Sequence, residues 1–186
     1  MKRLIDLSFC IIAIILLLIP SIIIALLVRI TSQGPSIYWS KRVGVNNTTF
    51  QMPKFRTMKL NTPTLATHLI ENSNTFLTPI GGILRRLSLD EIPQLFSILK
   101  GEMTIVGPRP ALFNQNDLIL LRKEKGVDSL VPGITGWAQV NGRDAITIPE
   151  KVDLDAEYLN KQSFMFDLLI IKITIIKVLM KNDISH

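Results

Sequence analysis

A chain of 186 residues is long enough for one compact domain with its own core and too short for two ordinary domains and a linker, so one functional unit is expected. Lysine and arginine number 21 against 15 aspartates and glutamates, and the resulting +6 favours anionic partners such as phosphates, a lipid headgroup surface or nucleic acid. The single cysteine, Cys10, excludes a disulfide framework within the chain, and its place in an apolar run marks it as a small hydrophobic side chain.

The first element is an apolar run from Leu7 to Val28 without one charged side chain. A straight helix of that length covers roughly 33 Å, enough to cross a bilayer core. Pro20 lies past its middle and Ser21 follows, where a missing N–H and a ring clash kink or break a helix. Lys2 and Arg3 flank one end and Arg29, Lys41 and Arg42 the other, without the asymmetry that orients a spanning helix. Two paths fit, a kinked span and a hairpin that enters and leaves on one face. The hairpin accounts for both observations and is the expectation. A cleaved signal peptide fits poorly, because the run exceeds an ordinary h-region and ends without an A-x-A-like site.

Ser36 to Ser40 and Thr48 to Met52 read as short strands around a turn holding Asn46 and Asn47. Asn61 to Thr78 is polar, punctuated by Pro63 and Pro79, and reads as loop with one short helix near Leu65 to Glu71. His68 stands there without a second ligand at metal spacing and is expected at the surface. From Arg85 to Leu99 an apolar pattern at Ile92, Leu95, Phe96 and Leu99 predicts a helix. Met103 to Val106 predicts a strand that ends in Gly107-Pro-Arg-Pro110, a rigid turn holding Arg109 between two prolines. Ala111 to Lys125 predicts a helix, and Val131 to Arg143 a glycine-bearing loop. Phe164 to Met180 is apolar but interrupted by Asp167, Lys172 and Lys177; it suits either a helix lying in the membrane interface or a core helix with one wet edge, and not a second span.

Asp90 and Glu91 are adjacent carboxylates where the predicted helix begins. Ser88 with Glu91 fits a capping box, but that register puts Pro93 where its absent N–H matters. With Asp90 as N-cap, Pro93 falls harmlessly in the first turn, so this register is preferred. Either one places the positive end of a helix beside Asp90 and favours the ionised carboxylate that a nucleophile or Mg²⁺ ligand requires. Arg85, Arg86, Arg109, Arg143, Lys54 and Arg56 then read in one of two ways, as a solvated basic face or as cations converging on a pyrophosphate. No Walker A loop, G-x-G-x-x-G, Cys/His metal cluster or Ser/His/Asp arrangement is present, and the sparse aromatics are not interleaved with basic residues. Nucleic acid is therefore not an expected partner.

Three ordered blocks, Lys54-Phe-Arg-Thr-Met58, the run from Ser88-Leu-Asp-Glu-Ile-Pro-Gln through Val106-Gly-Pro-Arg-Pro110, and Pro132-Gly-Ile-Thr-Gly-Trp-Ala-Gln-Val-Asn-Gly-Arg143, resemble the bacterial sugar transferase family of monotopic phosphoglycosyl transferases over nearly the whole chain. The resemblance is to the family's minimal form, without the extra N-terminal domain of larger members. It implies an α+β, mostly helical monotopic membrane protein at the cytoplasmic face of the bacterial inner membrane. Its parts would be a re-entrant helix broken at Pro20 and Ser21 in residues 1–33, then a catalytic domain in 34–186 with a small β-hairpin and interfacial amphipathic helices. It further implies transfer of a sugar-1-phosphate from a UDP-sugar, in the family an N-acetylated hexose, to undecaprenyl phosphate with release of UMP, the first membrane step of glycoconjugate assembly. Asp90 matches the family's nucleophile and would carry the phosphosugar in a ping-pong reaction; Glu91 is its partner. Arg85, Arg109 and Arg143 match phosphate-site arginines, with Lys54 and Arg56 as further candidates, and Mg²⁺ is implied at Asp90. A homo-oligomer is compatible with the resemblance. The competing readings are a membrane-anchored protein that only binds anionic headgroups, and a glycosidase using Asp90 and Glu91. Neighbouring carboxylates on a helix diverge by roughly 100° and fit poorly around one glycosidic bond.

Overall fold

A computed structural model describes residues 2–63, 73–142 and 145–180. The short helix expected near Leu65 to Glu71, and His68 with it, lie outside the described residues, as does Arg143.

The chain opens with helix α1, Lys2–Thr31, which is continuous through Pro20. The expected break is therefore not an interruption of the helix: a proline deletes one N–H donor, and the turns on either side still propagate. The chain then forms an antiparallel hairpin of β1, Ile37–Val43, and β2, Thr49–Phe55, with Ser40 opposite Met52 and Val43 opposite Thr49. Asn46 and Asn47 turn it at φ 51 and 58, left-handed values that asparagine accepts more readily than most residues. Both strands begin one residue later than the stretches legible in the sequence and end three residues beyond them.

Next comes α2, Gly81–Arg86. Where a regular helix was expected from Asp90, the chain makes a 3₁₀ turn over Leu89–Gln94, and helix α3 begins only at Leu95 and ends at Lys100. Ser88 sits at φ 55 and its side chain caps nothing, although its carbonyl accepts from the Glu91 N–H at 3.2 Å. Neither predicted capping register forms, because the left-handed residue swings the chain so that the acidic pair is free to point inward. The apolar pattern is also rotated from expectation. Phe96 and Leu99 are 48% and 39% exposed, whereas Gln94, Ser97 and Ile98 are buried.

Strand β3, Thr104–Val106, pairs in parallel with β4, Gly133–Thr135. Helix α4 is Asn116–Glu124, shorter than the expected Ala111 to Lys125, since Leu112 bridges to Arg42 and its N–H is taken by the Gln115 side chain. The segment expected to be loop carries both β4 and a single turn, α5, Trp137–Val140. Helix α6, Ile148–Lys161, was not expected, although Thr147 and Glu150 form a capping box with a proline in the first turn. The last helix, α7, is Phe164–Met180, with the predicted boundaries.

Among the described residues, two of the four core clusters include α1, and the other two join β3 with α5, α6 and α7, and α4 with α6. Cys10 clusters with Met52, Ile98 and Met103, and further along the helix Ile24 and Val28 cluster with Phe55 and Leu84. Both ends of α1 are fastened to the rest of the chain. At the start, Lys2 pairs with Asp167 of α7, Arg3 donates to the Ile98 and Leu99 carbonyls, and buried Asp6 accepts from the Thr104 hydroxyl and, at 3.4 Å, from the Ile105 N–H. At the other end the Ser36 hydroxyl donates to the Ala25 carbonyl at 2.7 Å. Along α1, Ile11, Ile15, Ile19, Ile22 and Leu26 remain exposed, and Phe164, Met165, Leu169 and Ile175 of α7 do the same while Ile170 is wholly buried.

Candidate active site

The 3₁₀ turn lies against β2 and puts Asp90 and Glu91 beside Lys54, which the alternation of that strand directs at the turn. Lys54 Nζ is 2.8 Å from Glu91 Oε1 and 3.8 Å from Asp90 Oδ2. Arg109, from the turn after β3, places Nη2 2.8 Å from the same Glu91 oxygen. Glu91 is thus held by two cations, and the three residues come from three segments far apart in sequence. Asp90 differs: among the described residues its carboxylate accepts no hydrogen bond, and its one ion-pair contact is the distant one with Lys54.

Arg85, in the last turn of α2, donates through Nε to the Thr57 hydroxyl at 2.9 Å, and its charge acts on Asp90. Arg42 on β1 joins the cluster from a position that sequence reasoning counted only among the charges flanking the membrane segment; its field reaches Arg109 and Glu91. An arginine on a half-buried stretch of strand was the one available signal. Arg56 goes elsewhere. It is buried and donates to the Gln33 carbonyl at 2.9 Å, tying β2 to the chain after α1 and not reaching the acidic pair. Pro20 and Ser21 belong to α1 and take no part in this cluster.

Charge and burial act differently on the two carboxyls. Burial pushes Asp90 up from its ordinary value, with the charge of Glu91 adding to it, while Lys54, Arg85 and Arg109 pull toward the ionised form. The expected help from a helix end is replaced by these cations. For Glu91 burial acts upward too, but Arg109 and Lys54 outweigh it by charge and hydrogen bonding and hold it well below the usual carboxylate range. Burial lowers Lys54, and it lowers Arg85. Glu91 is therefore a fixed anion that organises cations, and Asp90 is the poorly solvated carboxylate whose lone pairs accept no hydrogen bond from the described residues. Lys54, Arg85 and Arg109 face two carboxylates, leaving an excess of positive charge for an incoming phosphate.

Among the described residues no group of three or more His, Cys, Asp or Glu forms a metal cage. Mg²⁺ does not need one, since it keeps water ligands and is commonly held by one or two carboxylates plus substrate phosphates. The uncommitted oxygens of Asp90 fit that mode.

A profile for a family described as bacterial sugar transferase matches residues 1–181. The chain is 39% identical over 189 residues to the sugar transferase EpsL of Bacillus subtilis, covering all of this chain and 91% of that protein. It is 39% identical over 173 residues to the UDP-glucose:undecaprenyl-phosphate glucose-1-phosphate transferase of Escherichia coli, covering 88% of this chain but only 37% of the relative. To the exopolysaccharide production protein ExoY of Sinorhizobium fredii it is 33% identical over 189 residues, 94% of this chain and 83% of that one.

Proposed function

Because the chain belongs to the bacterial sugar transferase family, we propose that it is a phosphoglycosyl transferase that moves a sugar-1-phosphate from a UDP-sugar to undecaprenyl phosphate and releases UMP. The observation that carries this reading is the uncommitted, buried Asp90 carboxylate beside a cation cluster that Glu91 organises.

In the first step an Asp90 oxygen attacks the β-phosphorus of the UDP-sugar. The bond from that phosphorus to the oxygen of UMP breaks, and UMP leaves with the electron pair. In the second, an oxygen of the lipid phosphate attacks the phosphosugar on Asp90, and the carboxylate is regenerated. Lys54, Arg85 and Arg109 neutralise phosphate oxygens in both steps. Arg143 is assigned the same duty on its motif alone. Asp90 is the residue that would help hold Mg²⁺, which would supply further charge neutralisation to the phosphates. One phosphate site serves two substrates in turn.

The lipid acceptor requires the site at a membrane surface, and two features support a monotopic, re-entrant α1. Both of its ends are fastened to one body, which cannot stand on both sides of a bilayer. A straight helix would also separate Cys10 from Ile24 by about 21 Å. Met52 and Phe55, which share their clusters, are only three residues apart on β2, about 10 Å. A bend near Pro20 reconciles these spacings. Residues 1–33 would then be the anchor and 34–186 the catalytic body at the cytoplasmic face, with the exposed apolar sides of α3 and α7 toward lipid. In a Cys10→Ala background, Leu4→Cys and Gln33→Cys should label from the same side of sealed vesicles. Labelling from opposite sides would require a spanning helix.

The reaction is tested with a panel of UDP-sugars, N-acetylated hexoses and UDP-glucose included, with undecaprenyl phosphate and Mg²⁺. One sugar should release UMP. Labelled UMP should also exchange into that UDP-sugar without lipid, because the first step is reversible and complete in itself. Turnover without such exchange rejects the covalent route. Salt-sensitive liposome binding with no turnover on any sugar would favour a headgroup-binding protein instead.

A further inference from the structure

Four consecutive carbonyls in the segment that presents Arg109 are each held from a different point of the chain. The Pro108 carbonyl accepts from the Gly133 N–H at 2.9 Å and the Ala111 carbonyl from the Val43 N–H at 3.0 Å. Between them, the Arg109 carbonyl accepts from Arg122 Nη1 at 2.8 Å and the Pro110 carbonyl from Arg42 Nη1 at 3.1 Å. The two prolines lack N–H groups, so this segment cannot tie itself into a strand ladder, and its geometry depends on outside donors.

Each guanidinium is in turn oriented by a buried group. Arg122 Nε and Nη2 lie 3.0 and 2.6 Å from one oxygen of Asp155, which is 1% exposed, leaving Nη1 for the turn. Arg42 Nε donates to the Ser40 hydroxyl at 3.0 Å, and Ser40 is 2% exposed, again leaving Nη1. Neither arginine donates to Asp90 or Glu91. A fork with several donors in fixed relation can grip an orienting group and the turn at once, which an ammonium does poorly.

We propose that Arg42 and Arg122 are positioning residues for phosphosugar transfer: they clamp the backbone of Arg109 where its guanidinium reaches Glu91. The clamp links α6, α4 and β1 to the acidic pair without touching substrate. Its activity readout rests on the transfer reaction proposed above; its structural readout does not.

The test is a double-mutant cycle in the full chain reconstituted with lipid. Arg42→Gln and Arg122→Gln, the latter also paired with Asp155→Asn so that no carboxylate is left buried alone, should each lower UMP release by about 10- to 100-fold, the scale of a small misplacement of a reacting group. In an Arg109→Gln background the same substitutions should cost less than about twofold, since they act through a side chain already removed. Losses that multiply would overturn the proposal. Hydrogen exchange over residues 106–112 should quicken in both variants, and unchanged exchange overturns the clamp even if no nucleotide sugar is turned over. In that event the transfer reading fails on its own account. Should the Arg122 variants not fold, the Arg42 arm decides alone.

Discussion

Asp90→Asn is expected to reduce UMP release by at least about 10³-fold while leaving the fold intact or slightly firmer, the scale following from loss of a covalent nucleophile. The replacement keeps the shape and removes only the charge. Asp90 accepts no hydrogen bond among the described residues, so no native bond is forfeited. Its proton is held more tightly in the folded chain than in the unfolded one, because burial raises it. The ionised carboxylate therefore works against folding. That penalty is absent in acid and develops as pH rises from the unfolded value to the higher folded one. At neutral pH the asparagine variant should melt at or above the wild-type temperature. Thermal denaturation beside the UMP assay checks both halves, and a folded variant with near wild-type turnover would end the nucleophile assignment.

Glu91→Gln is expected to act in the opposite sense on stability. Glu91 and Lys54 have side chains only 13% and 14% exposed, and Arg109 shares the same carboxylate oxygen. Removing one member of a buried ion pair costs about 3–5 kcal/mol, because the other charge stays desolvated without its partner. For a chain of this size that lowers Tm by roughly 10 °C. Activity should fall as well, since Arg109 loses the anion that aims it. The pH dependence carries the opposite sign from Asp90. A carboxyl held below its usual range contributes stability that is fully present above the unfolded carboxylate value, about 4.3, and is lost as pH falls through the lower folded value. The variant should lack that acid-side loss. A neutral-pH Tm unchanged by the substitution would mean that Lys54 and Arg109 do not depend on this carboxylate.

The two predictions separate carboxylates that the sequence presents as a pair. Adjacency and an apolar pattern behind them were legible, and so was the resemblance carried by three blocks. The division of labour was not. It comes from Ser88, whose left-handed backbone makes the 3₁₀ turn, and from Lys54 and Arg109, which arrive from segments 37 and 18 residues away from Glu91. The same limit explains Arg42 and Arg56. Arg42 read as a charge flanking the membrane segment and Arg56 as a candidate for the phosphate site, and only their partners send one toward the Arg109 turn and the other to the Gln33 carbonyl.

By itself the sequence determined the apolar N-terminal helix, the asparagine-turned hairpin, the strand before the Pro-Arg-Pro turn and the boundaries of α7, because hydropathic runs, turn chemistry and proline act through near neighbours. The tertiary structure alone decided that both ends of α1 are fastened to one body, that Phe96 and Leu99 face outward, and that Glu91 gathers the cations while Asp90 stays uncommitted. Those outcomes depend on contacts between residues tens of positions apart, where burial and charge are set by whatever the fold brings alongside.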